Sequence, residues 1–259
     1  MTVIEFYNKL CEIMPTSLSC PWDKDGLESC PEPHREVGKV LISLDVTNEV
    51  IDQAINEGAD VIISHHPLFF GGLGNMNALT FDGARAVKLA KNNIAVMSFH
   101  TRLDACDGGV NDILAGILGL KNISVVGDDK ICRMGELDCP LELMDFAKLV
   151  KDKLSSGTGE REATVGIAPA GKKVKRVALI GGGGGDFINV AAAAGADTYV
   201  TGEFKHHERL SATDFGVNLV WAGHFFTENP VCEFLEKTVR DICPDAVVEV
   251  VFSNRTIEI

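Results

Sequence analysis

The chain carries the same chemical pattern twice, a histidine followed four residues later by a carboxylate. His100 precedes Asp104 in the first copy, and His224 precedes Glu228 in the second. Each copy follows a short apolar run that predicts a buried strand, and a third such run ends in the histidine pair at 65–66. Imidazole nitrogen and carboxylate oxygen without thiolate suit Zn, Mn, Fe or Ni. The spacing therefore predicts a metal site where three strands end.

The adjacent histidines favour two ions rather than one. On an extended strand His65 and His66 point to opposite faces, so they reach one centre only where the backbone turns, as Pro67 favours. Two ions about 3.5–4 Å apart would let each histidine serve its own metal. We expect two divalent ions per subunit, held by His65, His66, Asp104, His224 and Glu228. His100 is either a further ligand or a group that orients Asp104 or the substrate.

Proton transfer needs a titratable group beside such a site, and three candidates follow predicted strand ends. They are His100, Glu203 and His206. Lys205 could meet an anionic group of a substrate, although solvated polar residues at a helix start explain this cluster equally well. Asp45, also at a strand end, is either an acceptor behind the metal ligands or part of a helix cap beside Thr47.

Five consecutive glycines, 181–185, follow a predicted strand. The run satisfies most of G-x-G-x-x-G, but Asp186 stands in the last place and the Lys-Ser/Thr of a P-loop is missing. It is therefore a weak dinucleotide fingerprint, and a dinucleotide-binding oxidoreductase is the least supported function. Amides at the start of the following helix could instead bind an anionic substrate.

The chain also contains its own copy. Residues 39–64 align with 176–201 without a gap, at an offset of 137 (39 to 176), and Gly-Ala-Asp recurs at the same offset. The two histidine–carboxylate pairs lie at an offset of 124 (100 to 224), so the first half holds 13 extra residues (137 less 124). The loop at 67–79 is the candidate insertion. It is either a surface loop packed on a neighbour, or a flap or subunit contact.

Hydrophobic periodicity and capping signals place alternating helices and strands along both halves. Helices are predicted near 2–14, 47–57, 81–91, 109–118, 141–154, 187–194, 205–213 and 230–242. Strands are predicted near 39–45, 60–64, 94–99, 131–137, 163–168, 174–180, 197–201, 217–222 and 246–252.

This alternation predicts an α/β fold. We expect two similar three-layer α/β halves that arise from internal duplication, with mainly parallel sheets and a metal cleft between them. The predicted domains are 1–126, with His65, His66 and Asp104, and 127–259, with the other two ligands. The last helix and strand could pack on the first domain. Ligands bind at the carboxyl edges of parallel strands, where every candidate lies.

Composition limits the partners. The 259 residues are 46% hydrophobic and carry 24 Lys and Arg against 37 Asp and Glu, a net charge of −13. That charge argues against nucleic acid and anionic membranes as partners. No apolar run approaches the ~20 residues of a membrane span and no signal-peptide pattern is present, so we expect a cytoplasmic protein. The eight cysteines include no C-x-x-C pair and are interpreted as buried, reduced thiols.

Seven motifs, taken in order, closely resemble the Nif-three-like family, whose members are often described as GTP cyclohydrolase I type two homologues. They include Trp-Asp-Lys-Asp-Gly-Leu and lie at 22–27, 63–68, 100–104, 108–111, 195–203, 205–207 and 222–228. The resemblance covers nearly the whole chain. It implies a two-domain α/β subunit, a dinuclear metal centre on the same five ligand positions, and a toroidal homohexamer. Arg102 stands where relatives more often have a small or polar residue, so substrate preference could differ.

The leading functional hypothesis is a dinuclear-metal hydrolase that acts on a small molecule, either a nucleotide or a cyclic or amide C–N bond. The alternative is a metal-binding carrier or regulatory protein without turnover, which needs the same ligands and no general base. Assembly follows from the 67–79 loop, which holds Leu68, Phe69, Phe70 and Leu73. Exposed apolar residues are costly unless covered, so together with the family resemblance they predict a homo-oligomer, most simply a hexamer.

Overall fold

A computed structural model describes residues 1–156 and 162–252. The described chain forms two compact units. Unit 1 consists of residues 1–106 and 231–252, and unit 2 of residues 107–156 and 162–230. The sequence prediction divided the chain after residue 126, whereas residues 107–126 group with unit 2, because their strand pairs with the strand that follows it.

Helices and strands alternate through both units. The helices are α1 (Val3–Ile13), α2 (Asn48–Glu57), α3 (Phe81–Lys91), α4 (Thr101–Ala105), α5 (Val110–Ile117), α6 (Leu143–Ser155), α7 (Ile188–Ala193), α8 (His206–Phe215), α9 (His224–Glu228) and α10 (Val231–Ile242). The strands are β1 (Gly26–Ser29), β2 (Lys39–Ser43), β3 (Val61–Ser64), β4 (Ala95–Ser98), β5 (Lys121–Val126), β6 (Cys132–Leu141), β7 (Gly166–Ala168), β8 (Val174–Leu179), β9 (Thr198–Thr201), β10 (Asn218–Trp221) and β11 (Val247–Val250). Across the two described stretches, no helix combines the length and apolar character that a bilayer crossing requires.

Every predicted helix and strand is present, most with shifted ends, and two further α-helices and two further strands were not predicted. Strand β1 was not predicted because it is short and holds Gly and Glu, and β5 was not predicted because it is exposed along nearly its whole length. Helices α4 and α9 were not predicted because each has only five residues and begins soon after a strand ends. Both short helices carry candidate metal ligands.

Local signals in the sequence explain where the first helices begin. The Thr2 hydroxyl accepts a hydrogen bond from the Glu5 amide while the Glu5 carboxylate accepts one from the Thr2 amide, which forms a capping box at α1. The Thr47 hydroxyl caps α2 by accepting from the Val50 amide, and α2 ends at Gly58, whose φ of 66° suits glycine. Asp45 therefore does not serve as the cap of α2.

The sheet of unit 1 has the order β1-β4-β3-β2-β11. Strands β4, β3, β2 and β11 run parallel, and the edge strand β1 pairs antiparallel with β4. The inner parallel strands β2, β3 and β4 are buried on both faces, as helix-covered parallel sheets require. Their register aligns Ser43 with Ser64 and Ser64 with Ser98, so three strands end at one level. The residues that follow these serines consequently share one carboxyl edge.

The sheet of unit 2 has the order β5-β6-β8-β9-β10-β7. Strands β8, β9 and β10 are parallel, as the duplication predicts, whereas β5, β6 and β7 join through antiparallel pairings. The second sheet is thus mixed, because the connection between β5 and β6 is too short for a crossover helix. The α/β class is confirmed.

Matching hydrogen bonds in the two units agree with internal duplication. The Asp60 carboxylate accepts from the amides of Gly38 and Lys39 at 2.7 and 2.9 Å, which ties the loop before β3 to the start of β2. In unit 2, Asp197 accepts from the amides of residues 175–176 at 3.0 and 2.8 Å. Donors and acceptors differ by the same offset of 137 (60 to 197). The repeated Gly-Ala-Asp is therefore a structural motif that fixes the strand starts.

Candidate metal site

Three histidines of unit 1 meet at the shared edge of β3 and β4. His65 and His66 follow Ser64 directly, and His100 follows Phe99, whose amide continues the ladder by donating to the Ser64 carbonyl at 3.0 Å. Each histidine offers a ring nitrogen within 4.8 Å of a ring nitrogen of the other two. The parallel register therefore converts two distant sequence motifs into one cluster.

Four histidines, the three candidate ligands and His100, each contact an acceptor through the same ring nitrogen, Nδ1. The Nδ1 contacts are His65 to the Phe99 carbonyl at 3.1 Å, His66 to Asp45 Oδ1 at 2.7 Å, His100 to the Asp23 carboxylate at 3.1 Å, and His224 to Glu203 Oε1 at 3.1 Å. A carbonyl or a carboxylate can only accept, so Nδ1 carries the proton in the neutral rings of His65, His66 and His100, whereas His224 faces a second carboxylate, that of Glu228, through Nε2. In the first three rings Nε2 is the atom with a lone pair, which is how metal-binding histidines are oriented in proteins.

Asp104 belongs to the cluster of unit 1. It lies within α4, one helical turn after His100, and its Oδ1 atom is 3.8 Å from His65 Nε2. The sequence interpretation placed this carboxylate on a strand end, but the structure places it in a short helix. A separation of four residues is one helical turn, so the spacing itself was a helix signal.

Unit 2 presents a second pair of donors on α9. His224 begins this helix and Glu228 ends it, and His224 Nε2 lies 2.9 Å from Glu228 Oε2. Gly223 precedes the helix with a φ of 84°, a conformation that favours glycine, and so permits the sharp change from β10 into α9. The Glu228 side chain is buried, whereas that of His224 is 37% exposed. A nitrogen and a carboxylate oxygen thus converge within one turn.

Asp23 was missed in the sequence, although it holds His100 and the start of α4 together. Its carboxylate accepts from the Thr101 amide at 3.0 Å and from the Thr101 hydroxyl at 2.6 Å, besides its contact with His100. Burial alone would raise the pKa of Asp23, but the hydrogen bonds from His100 and Thr101 outweigh it and hold the pKa well below its ordinary value. The Trp-Asp motif was the signal in the sequence that could have revealed this role, because a buried aspartate needs hydrogen-bond donors around it.

Arg102 does not face the histidine cluster, which corrects the suggestion that it adjusts substrate preference. Its side chain is 2% exposed and forms a two-pronged ion pair with Asp25, from Nε at 2.7 Å and from Nη2 at 2.9 Å. Nη1 donates to the Met14 carbonyl at 3.3 Å. Arg102 therefore fastens the loop after α1 to α4 and acts in the packing of unit 1.

The remaining catalytic candidates have different surroundings. Glu203 orients His224, although its own side chain is 63% exposed. His206 is exposed at the first residue of α8. Lys205 lies 3.3 Å from Glu208 and 3.8 Å from Asp186, so carboxylates of unit 2 neutralise it locally.

Sequence and structure comparisons identify the family to which this chain belongs. The profile of Duf34/NIF3 (NGG1p interacting factor 3) matches residues 1–258. The chain belongs to the Duf34/NIF3 family. The resemblance inferred from the seven motifs is thereby confirmed.

Curated relatives of this Duf34/NIF3 protein are named GTP cyclohydrolase 1 type 2 homolog. The Clostridium perfringens protein is 30% identical over 261 residues, with 98% of this chain and 97% of that protein covered. The Streptomyces coelicolor protein is 33% identical over 247 residues, with 87% and 83% covered.

Solved structures show the same fold. A Staphylococcus aureus hypothetical protein matches with a TM-score of 0.85 and 30% identity, covering 100% of this chain and 99% of that one. A Bacillus cereus protein related to NIF3 matches with a TM-score of 0.87 and 24% identity, covering 100% and 99%.

The glycine run of this Duf34/NIF3 protein makes room for the ligands of unit 2. A Cβ atom at Gly182 would lie 2.0 Å from Glu228 Oε1 and 2.9 Å from His224 Nε2, and the φ of Gly182 is +63°. Three of the five amides of the run are engaged, since Gly181 donates to Asn111 at 2.8 Å, Gly182 to Thr227 at 3.0 Å and Gly184 to Thr201 at 3.0 Å. The run therefore makes room for the carboxylate of the candidate ligand Glu228, and these three amides do not serve an anionic substrate.

The donor set fits divalent transition metals. Each unit offers imidazole Nε2 atoms and a buried carboxylate, each histidine is oriented from behind, and no thiolate takes part in the cluster of described residues in unit 1. Such nitrogen and oxygen sets suit Zn, Fe, Mn or Ni. The structure therefore agrees with a possible metal site, in which imidazole Nε2 atoms and carboxylate oxygens are the candidate ligand atoms.

Proposed function

We propose that this chain is a metal-dependent hydrolase that holds two divalent ions per subunit. The predicted ligands are His65, His66, Asp104, His224 and Glu228. The observation that carries the proposal is the common orientation of the histidines, each with Nδ1 against an acceptor, and with Nε2 of His65 and His224 toward the carboxylates of Asp104 and Glu228. Histidines that serve only as core residues have no reason to share one orientation.

When bound, the ions supply Lewis acidity and a water whose pKa falls to about 7. The chain's own residues then position groups and move protons. His100 is the first candidate for proton transfer, because Asp23 fixes its ring beside His65 and His66. Glu203 and His206 are the candidates in unit 2, where Glu203 already orients His224.

The names of the curated relatives support a nucleotide-related substrate. In hydrolysis of a cyclic or amide C–N bond, water adds its oxygen to carbon and the departing nitrogen receives a proton. His100 would accept a proton from that water at Nε2 and pass it to the departing nitrogen, with Nδ1 held by Asp23. We therefore propose a small-molecule substrate with such a bond.

We further propose that the protein works in the cytoplasm as a closed homo-oligomer, with a hexamer as the family resemblance implies. All eight cysteines, which lie within the described stretches, are thiols. Burial raises the pKa of the Cys132 and Cys232 thiols to about 12, so they stay protonated and unreactive. Reduced thiols suit a reducing compartment.

Turnover with restored metal tests the proposed activity. The chelator-treated protein is reloaded with Zn, Fe, Mn or Ni in turn and presented with nucleotides, cyclic amides and amidines. We expect product with at least one ion, and we expect activity of the His224→Ala variant to fall by roughly a hundredfold or more. The matched control is His34→Ala, which removes an exposed histidine of unit 1.

Rapid ion transfer to a metal-free acceptor with no turnover would instead support a carrier. That result would contradict the proposed hydrolase activity but would agree with the proposed metal site.

A further inference from the structure

Two large aromatic side chains flank the histidine cluster of unit 1 while remaining exposed. Trp22 is 65% exposed, and its ring centroid lies 6.0 Å from that of His100 in an edge-on arrangement. Phe70 is 62% exposed, and its ring lies 5.7 Å from His66 and 5.7 Å from His100. Aromatic rings exposed to this extent beside a candidate reaction centre offer stacking surfaces.

A groove continues from Phe70 along the surface of unit 1, while Trp22 lies outside its lining residues. Its volume is about 490 Å³, and His66 and Phe70 lie in its wall together with Phe81 and Arg85. Phe81 is 69% exposed, and the Arg85 guanidinium stacks over it at 5.2 Å. This volume lies within the range of small-molecule sites, which is roughly 300–1,000 Å³.

The charges along the groove are predominantly acidic. Asp45 and Glu49 line it, and Arg85 is the cation among the described lining residues. The guanidinium of Arg85 is engaged within the protein, because it donates to the Leu68 carbonyl at 3.2 Å and lies 3.6 Å from Asp82. Phosphate recognition needs clustered Arg or Lys donors, so this groove is unsuited to a polyphosphate.

We propose that this groove binds the planar nitrogen heterocycle of the substrate as an uncharged base or nucleoside, stacked against Phe70, with Trp22 flanking the same histidine cluster. The inference rests on the proposed function, because it places the ring beside the histidines of that site. Ring N–H groups are matched by the carboxylates of Asp45 and Glu49, and the ring faces are matched by Phe70. The phosphates of a nucleotide contribute nothing to binding in this groove.

Calorimetric titration of the full-length, chelator-treated protein tests the proposal without relying on turnover. Guanosine, adenosine, GTP and ribose are the probes. We expect both nucleosides to bind, ribose not to bind, and GTP to bind no more tightly than guanosine. Stacking of one base is worth about 1–3 kcal/mol, so Phe70→Leu should weaken nucleoside binding by roughly tenfold. Trp22→Leu should act in the same direction.

The matched control is Phe215→Leu, which replaces an exposed phenylalanine of unit 2. It should leave nucleoside affinity unchanged. Absence of nucleoside binding, equal affinities in wild type and Phe70→Leu, or clearly tighter binding of GTP would each overturn the inference.

Metal content of Phe70→Leu protein purified without chelator separates the two proposals. Normal metal with weakened nucleoside binding supports the stacking role. If Phe70→Leu has normal metal content, normal turnover and unaltered nucleoside affinity, the stacking role is contradicted while the proposed hydrolase activity stands. If the wild-type protein binds no metal, the proposed function itself is contradicted.

Discussion

His66 Nδ1 lies 2.7 Å from Asp45 Oδ1, across the ends of two neighbouring parallel strands. The contact fixes the ring of His66 so that Nε2 is the atom available to a metal. Asp45 was interpreted from the sequence either as an acceptor behind the ligands or as part of a helix cap. Because Thr47 caps α2, the first interpretation fits the structure.

Removing this acceptor should weaken metal binding without unfolding the protein. We expect Asp45→Ala to lower metal affinity by about 10–100-fold, because His66 loses the group that orients it. Competition with a chromogenic chelator measures the change. Asp52→Ala, which removes a carboxylate that is 56% exposed on α2, is the control and should keep wild-type affinity. Equal affinities in the two variants would show that Asp45 does not orient a ligand.

Gly182 offers a steric test of the donor pair in unit 2. A methyl group there would overlap Glu228 Oε1 at 2.0 Å, and the backbone φ of +63° disfavours alanine. Gly182→Ala should therefore reduce metal content and cost about 1–3 kcal/mol of unfolding free energy. Gly183→Ala is the control, since its added Cβ would meet nothing nearer than Glu203 Oε1 at 3.7 Å. If Gly182→Ala retained full metal content, the glycine run would have no role in seating Glu228.

The buried pair of Arg102 and Asp25 should stabilise unit 1 when intact. Arg102→Met leaves a carboxylate with 3% side-chain exposure without its partner, so we expect a loss of about 3–5 kcal/mol in urea unfolding. Lys148→Met breaks a pair exposed on both sides, with side chains 68% and 61% exposed, and should cost less than about 1 kcal/mol. Similar losses in both variants would contradict the structural role of Arg102.

The exposed apolar residues of the loop, on which the proposed assembly would depend, are only partly those that the sequence indicated. Leu68 and Phe69 are buried, at 3% and 6% exposure, and belong to the core of unit 1, whereas Met76 and Leu79 are 62% and 93% exposed. We expect the wild type to sediment as a closed oligomer and Met76→Ser with Leu79→Ser to shift it toward smaller species. Leu210→Ser, at 61% exposure in unit 2, is the control. A wild type that sediments as a monomer at micromolar concentration would refute the proposed assembly.

The sequence revealed the ligand candidates because histidine and carboxylate recur at matched positions after apolar strands. The strand positions followed from buried apolar runs, which are strong signals in parallel sheets. The duplication was readable because Asp60 and Asp197 perform the same backbone capping in both units. These features depend on local sequence, so they could be predicted.

Other features depend on contacts between distant residues and could not be predicted. Asp23 meets His100 across 77 residues, and the glycine run meets Glu228 through steric fit rather than through its amides. Duplication was also an incomplete guide, because the offset of 137 that aligns the two halves pairs His66 with Glu203 (66 to 203). The same position therefore carries a candidate ligand in one unit and an orienting carboxylate in the other.

Metal content per chain tests the central claim most directly. The protein is purified without added chelator, saturated with Zn or Mn, freed of unbound ion and analysed by mass spectrometry of the elements. We expect close to two ions per chain in the wild type and in His34→Ala, and fewer in Asp104→Ala and His224→Ala, with the fold retained by circular dichroism. Saturation at one ion, or full occupancy in both ligand variants, would contradict it.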